Sequence, residues 1–209
     1  KTGELRAIVG GREAPEVRKG WNRAYQSATE VGSSIKPLSV YGPALDLGLS
    51  PASAVVNIPD PIVGWDTETG YPAIGSEKYE GIITLRRGVV SSLNVAAART
   101  LLEDVSLQTG ADYLAKLGVD PSRIKTTRSG LALGAMGITP IEMAGAYAAI
   151  ANEGKYIKPV SFSRVVDQNG KVILDSSKLR TEQQVFKPTT AYMLVDILCL
   201  LYTSPSPRD

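Results

Sequence analysis

Residues 139–152, TPIEMAGAYAAIAN, restrict the fold of this 209-residue chain more than any other stretch. Thr139 stands where a helix N-cap hydroxyl belongs, Pro140 opens the first turn, Glu142 follows the cap by three residues, and Gly154 lies just past the end. A helix so bounded, with Ala and Gly over much of its surface, suits close packing against its neighbours. The composition allows that packing, because 43% hydrophobic and 21% charged residues provide for one sizeable core or two small ones.

The other elements follow from shorter signals. Residues 4–9 (ELRAIV) read as a strand fed by the turn Thr2-Gly3 and ended by Gly10-Gly11. Residues 33–47 show a wide apolar helical face, with Gly48 as the stop. Residues 51–79 are rich in Pro, Gly and acidic side chains and read as ordered loop with a short strand. A helical pattern resumes at Thr84 and runs to Val105. Ser91-Ser92-Leu93-Asn94 interrupts it with residues that favour caps and turns, so two helices with a break are expected. Thr109 resembles the cap of a further helix that closes at Gly118. Residues 163–167 and 171–174 flank Gln168-Asn169-Gly170 as a β-hairpin, and a last helix begins near Thr189. Helices in the middle, strands toward the ends and no repeat favour an α+β fold.

Several chemistries are excluded before any motif is weighed. Lys and Arg total 23 against 21 Asp and Glu, and a net charge of +2 with no basic block gives no electrostatic case for nucleic acid. No apolar run reaches the roughly 18 residues of a membrane helix, and no signal-peptide pattern opens the chain, so these residues read as soluble. There is no histidine, which removes Ser-His-Asp and Cys-His catalysis and histidine-based zinc sites. Cys199 is the one cysteine, too few for a disulfide framework or a CxxC site. Any nucleophile must be a hydroxyl with a lysine or carboxylate as its base.

Gly32-Ser33-Ser34-Ile35-Lys36-Pro37-Leu38 offers such a pair. On a helix, Ser33 and Lys36 share one face about a turn apart, whereas Ser34 lies about 100° further round. A neutral lysine amine can take the hydroxyl proton if burial and nearby positive charge lower its pKa. The Ser33 backbone N–H, at a helix start, is free to face a developing oxyanion. The pattern alone is equally a capped helix start with a solvated lysine. Ser122-Arg123-Ile124-Lys125 has the same spacing and reads as a surface coincidence. Ser92-Leu93-Asn94, the single Ser-x-Asn of the chain, falls in the expected break, where it is either a helix N-cap or a hydroxyl and amide projecting into a cleft.

In order along the chain, these blocks resemble the penicillin-binding proteins, most closely the transpeptidase domain of the bifunctional class A members. The likeness covers almost all of residues 2–198. Residues 2–11 (TGELRAIVGG) are similar to the opening strand. Trp21-Asn22-Arg23-Ala24 with Gly32-Ser33-Ser34-Ile35-Lys36-Pro37 is similar to the nucleophile region. Residues 79–86 (YEGIITLR) lead to Ser92-Leu93-Asn94, and Leu131-Ala132-Leu133-Gly134 leads to Thr139-Pro140-Ile141-Glu142-Met143-Ala144. The family mechanism uses Ser-x-x-Lys, Ser-x-Asn and Lys-Thr-Gly on a strand.

The resemblance implies a penicillin-binding/serine β-lactamase-like α+β fold, with a helical middle flanked by an antiparallel sheet. It also implies roles. Ser33 would attack the carbonyl of a D-Ala-D-Ala stem peptide, release D-alanine and pass the acyl group to an amine of a neighbouring strand. β-Lactams would acylate the same hydroxyl. Lys36 would be the acylation base, and Ser92 and Asn94 would complete the proton and substrate contacts. No metal or organic cofactor is implied. Such domains face the wall side of the bacterial cytoplasmic membrane, anchored through a segment and a glycosyltransferase domain that precede the transpeptidase domain.

Lys1-Thr2-Gly3 is the one Lys-Thr-Gly of the chain, but it precedes every other block, whereas the family's follows Ser-x-Asn. It reads as an accidental start to the opening strand. Residues 199–209 (CLLYTSPSPRD) back-translate into something like a transposase-end sequencing adapter. Residues 1–198 are accordingly expected to be a partial transpeptidase domain lacking its C-terminal strands, and 199–209 a non-native tail. Such a polypeptide is expected to lack measurable transpeptidase activity and to be poorly soluble through open sheet edges. Among other readings, a class A β-lactamase needs a Glu for deacylation, and no Glu-x-x-Leu-Asn segment appears. A β-lactam sensor, a silent peptidoglycan-binding domain and a Ser-Lys amidase of another fold remain as alternatives.

Overall fold

Every residue from Ile35 to Leu45 is buried, and this stretch is the axis around which the other helices pack. The computed structural model describes residues 2–12, 18–65, 67–73 and 78–203. Ahead of the axis come α1 (Arg23–Gln26), capped by the Asn22 side chain, and β1 (Thr29–Glu30). The axis then winds in three ways: a 3-10 turn over Gly32–Ile35, a π segment over Pro37–Tyr41, and α2 over Gly42–Leu47. It ends at Gly48 (φ 123°), as the sequence suggests. The changes of winding have a local cause. Pro37 has no N–H to return to the Ser33 carbonyl, so the Lys36 N–H takes that acceptor, and beyond it Gly42 N–H reaches back five residues to the Pro37 carbonyl.

The expected ordered loop after Gly48 contains β2 (Ala54–Asn57), which pairs antiparallel with β3 (Gly81–Thr84). Thr84 caps α3 (Leu85–Val90), a three-residue turn follows, and α4 (Asn94–Arg99) continues into a π segment, Thr100–Val105. The helix, break, helix reading is therefore met, with Asn94 as first residue of the second helix. The start of α5 (Leu107–Lys116) corrects the sequence reading. Ser106, at φ 86°, both stops the preceding helix and caps the next, its Oγ accepting from the Thr109 N–H at 3.2 Å. Thr109 thus lies inside the first turn. The helix closes at Gly118 (φ 86°) as expected.

α6 (Arg128–Leu133) ends in the left-handed Gly134, β4 (Gly137–Ile138) pairs with β1, and α7 (Pro140–Ala151) has the full capping box of Thr139 and Glu142. β5 (Lys155–Ile157), the hairpin β6 (Arg164–Val166) and β7 (Val172–Asp175), α8 (Ser176–Leu179), β8 (Glu182–Gln184) and α9 (Pro188–Thr203) complete the described chain. The hairpin turns at Gly170 (φ 80°), with the Asp167 carboxylate accepting from the N–H groups of Asn169 and Lys171 at 2.9 Å each. α9 passes position 199 without a break, and residues 204–209 of the expected tail lie outside the described residues.

The fold is α+β, but the described strands form four separate two-stranded antiparallel ladders rather than one flanking sheet. The opening strand expected over residues 4–9 reduces to one parallel bridge between Glu4 and Val160, with the Leu5 N–H on the Val160 carbonyl at 2.8 Å. Residues 6–9 are exposed and no described segment runs beside them to form a ladder. The strand reading of residues 4–9 is thus not met beyond Glu4, since backbone groups form a ladder only where a neighbour exists.

The capping box carries a pH dependence. The half-buried Glu142 carboxylate accepts from the Thr139 N–H (2.9 Å) and hydroxyl (2.6 Å), the Asp120 N–H (3.0 Å) and Arg123 Nη1 (2.7 Å). Burial is the largest single influence and pushes its pKa up, yet these donors and the Arg123 charge together hold it below 4.5. A carboxylate depressed on folding stabilises the protein above its unfolded pKa, and that contribution is lost as pH falls through the folded value. Thermal unfolding followed from pH 7 toward acid is expected to show Glu142→Gln less stable by about 1–2 kcal/mol at neutrality. The gap is expected to close below the ordinary carboxylate range. A gap that persists in acid would refute this assignment.

Candidate active site

Ser33 lies on the 3-10 turn that opens the axial helix and Lys36 follows as its C-cap, and three residues per turn brings positions i and i+3 toward one line. Ser33 is exposed, while Lys36 is only 2% exposed. Both line a cleft of about 310 Å³ together with Ser92 and Tyr147. Ser34 borders the same cleft, but its hydroxyl donates locally to the Val31 carbonyl at 2.6 Å. That distinguishes the two serines in favour of Ser33.

A buried lysine head group needs acceptors, and the turn between α3 and α4 provides them. Lys36 Nζ donates to the Ser92 carbonyl at 2.7 Å, to Asn94 Oδ1 at 2.7 Å and to Ser92 Oγ at 3.3 Å. Ser33, Lys36 and Ser92 thus line one cleft, and Asn94 meets the same amine without being among the described lining residues. The turn is built for this purpose at some local expense. Ser92 has φ 53°, a left-handed conformation that disfavours a non-glycine residue by about 1–2 kcal/mol. The bonds of Ser91, Ser92 and Leu93 N–H to Arg87, Val89 and Gly88 carbonyls, each 3.0 Å, and the buried Leu93 side chain hold it there.

The turn that carries Ser33 is pinned from outside as well. Gly32 N–H donates to the Gly134 carbonyl at 3.3 Å, and Tyr147 Oη donates to the Ser34 carbonyl at 2.8 Å. Within the axis, Ser39 Oγ donates to the carbonyls of Leu131 (2.6 Å) and Ile35 (3.1 Å). Gly134 and Tyr147 were not legible as site residues. A glycine ending a helix and a lone aromatic in an Ala-rich helix were the available signals, and both read first as fold.

The decoy motifs fall elsewhere. Ser122 and Lys125 are exposed, on and just after the 3-10 turn Pro121–Arg123, with the Ser122 hydroxyl on Asp120 Oδ1 at 2.8 Å. Lys1 lies outside the described residues. Gly3 packs on Ile157 and accepts from the Val160 N–H at 2.9 Å, and neither Thr2 nor Gly3 is among the described residues lining the cleft. Among the described residues there is no group of three or more His, Cys, Asp or Glu that could hold a metal ion. None of their helices is long and apolar enough to cross a membrane.

A helical core around a Ser-x-x-Lys helix, with a Ser-x-Asn turn against the lysine, is the architecture of a penicillin-binding transpeptidase domain. The description "Penicillin binding protein transpeptidase domain" matches residues 1–206, and the chain belongs to that family. Its relatives include penicillin-binding proteins 1A and 1F. It is 36% identical over 211 residues to penicillin-binding protein 1A of Clostridium tetani, covering 95% of this chain and 26% of that protein. The crystal structure of penicillin-binding protein 1A from Haemophilus influenzae matches with a TM-score of 0.75 and 28% identity, covering 90% of this chain and 32% of that one. PonA1 from Mycobacterium tuberculosis gives a TM-score of 0.75 and 26% identity over 91% of this chain and 50% of its own. The chain spans about a quarter of the length of the curated relatives it matches.

Proposed function

We propose that these residues form the acylation centre of a serine D,D-transpeptidase that cross-links peptidoglycan and is trapped by β-lactams. The observation that carries this reading is the buried Lys36 amine, bonded to Ser92 and Asn94 and bordering the cleft that holds Ser33. Ser33 Oγ attacks the carbonyl of the penultimate D-alanine as its proton passes to Lys36 Nζ, which must be neutral to accept it, its two N–H groups then serving the close Ser92 carbonyl and Asn94 Oδ1 and its lone pair taking the proton. The C–N bond then breaks. The leaving D-alanine nitrogen takes the proton through Ser92 Oγ, 3.3 Å from the amine, and an ester to Ser33 remains. An amine from a neighbouring strand attacks that ester, the C–Oγ bond breaks, and the proton returns to Ser33. A β-lactam follows the first half only, since its leaving nitrogen stays tethered. Asn94 holds the lysine through Oδ1 and can offer its NH₂ to a substrate carbonyl. No metal or organic cofactor takes part. Stem peptides and β-lactams are the partners, and the wall-facing side of the bacterial cytoplasmic membrane is the place of action.

The 209-residue polypeptide by itself is expected to be inactive, because Gly3 of its one Lys-Thr-Gly packs on Ile157 rather than lining the cleft. Losing one oxyanion donor typically reduces rate by about 10²–10³. Incubation with a fluorescent penicillin, followed by peptide mass mapping, tests both statements. A full-length 1A-type enzyme carrying these residues is expected to take one label, on the Ser33 peptide, and its Ser33→Ala variant none. The 209-residue chain is expected to stay unlabelled. Label on another residue would refute the nucleophile, and stoichiometric label on the short chain would refute its inactivity.

A further inference from the structure

Tyr147 is the one aromatic residue of α7, and the acylation chemistry gives it no task. Its half-buried ring borders the cleft, and its hydroxyl donates to the Ser34 carbonyl at 2.8 Å, across 113 residues of sequence. Burial pushes its pKa up to about 12, so the phenol keeps its proton and remains a donor through the neutral range. The bond fixes the peptide plane after Ser34, in the middle of the link between Ser33 and Lys36. Gly32, on the other side of Ser33, is fixed by the Gly134 carbonyl. The residues before and after Ser33 are therefore each tied to a different element of the α6–α7 region. The turn most needs such ties, because it joins a 3-10 winding to a π winding across a proline that has no N–H.

We propose that Tyr147 is a positioning residue for acylation: through the Ser34 carbonyl it holds the Ser33 hydroxyl in line with the substrate carbonyl. The proposal rests on Ser33 being the nucleophile. Misplacing a reacting group by about 1 Å can reduce rate about 10²-fold, although ground-state binding changes little.

The test is Tyr147→Phe in a full-length 1A-type enzyme carrying these residues, with Ser33→Ala in parallel. Acylation by a fluorescent penicillin is measured at several concentrations and pH values, which separates the acylation rate constant from non-covalent affinity. Circular dichroism gives the folded fraction. Tyr147→Phe is expected to lower the rate constant by about 10- to 100-fold, with affinity within about threefold and the pH profile unmoved. An unchanged rate constant overturns the proposal, as does a loss accounted for entirely by unfolded protein. A loss confined to affinity overturns it too. A displaced alkaline limb would make the phenol a proton-transfer group, which also overturns a positioning role. Labelling that survives in Ser33→Ala sinks the nucleophile assignment itself. A silent Ser33→Ala beside a wild-type Tyr147→Phe sinks the positioning role alone.

Discussion

Lys36→Met in the full-length enzyme is expected to reduce β-lactam acylation by at least about 10³-fold while the protein stays folded. Methionine keeps an unbranched apolar stem of similar reach in a position that is 2% exposed, so packing is largely retained. What disappears is the nitrogen that meets the Ser92 carbonyl, Ser92 Oγ and Asn94 Oδ1. Those acceptors lose a donor in a buried setting, which is expected to lower stability by about 1–3 kcal/mol, visible as a modest fall in Tm. Lys36→Arg separates charge from basicity. A guanidinium offers donors to the same acceptors but does not give up its proton in a protein, so it cannot act as the base. It is expected to be as slow as methionine. If Lys36→Arg acylates within about tenfold of wild type, Lys36 acts as a fixed positive charge and the proton must leave Ser33 by another route.

Gly134→Ala is expected to be among the more damaging single-methyl changes at the described glycines. Gly134 sits at φ 76°, and a Cβ there would fall on the Gly32 carbonyl oxygen and within 2.6 Å of the Gly32 nitrogen. Neither atom belongs to a flexible side chain, so the turn that carries Ser33 must itself move. The left-handed backbone contributes about 1–2 kcal/mol and the collision a further 1–3. The sum, about 3 kcal/mol, corresponds to a fall on the order of 10 °C in Tm for a domain of this size. Gly170→Ala is the control, since Gly170 has φ 80° but open space around it and bears the backbone contribution alone. Equal Tm losses for the two variants would show that the packing of Gly134 on Gly32 is not what holds the turn. Acylation in Gly134→Ala should fall further than the folded fraction does.

Much of this arrangement could be read from the chain. The capping box at Thr139 and Glu142, the interruption at Ser91 to Asn94 and the hairpin at Gly170 are set by local chemistry, and the structure keeps them. That Lys36 would meet Ser92 and Asn94 was legible because two short motifs occurred in a recognisable order of blocks. Three features were not legible, each for a physical reason. Thr109 and Ser106 are both cap-forming residues three apart, and only the left-handed backbone of Ser106 decides between them. The strand pattern of residues 4–9 says nothing about whether a neighbour is present. Tyr147 and Gly134 act across long sequence separations, through a phenol and a carbonyl, which no periodicity records.

The three windings of the axial helix bear on how this segment tolerates changes in length. In an ordinary helix, adding one residue turns everything beyond it by roughly 100°, and the rod can share out the error. Here the slack is already used: Pro37 fixes where the tight winding gives way to the wide one, and buried side chains from Ile35 to Leu45 lock both halves against their surroundings. An insertion or deletion between Gly32 and Gly42 would swing the amine off its wall of the cleft. Engineers grafting or shuffling such domains should therefore place their crossovers elsewhere, in the exposed connections beyond Gly48.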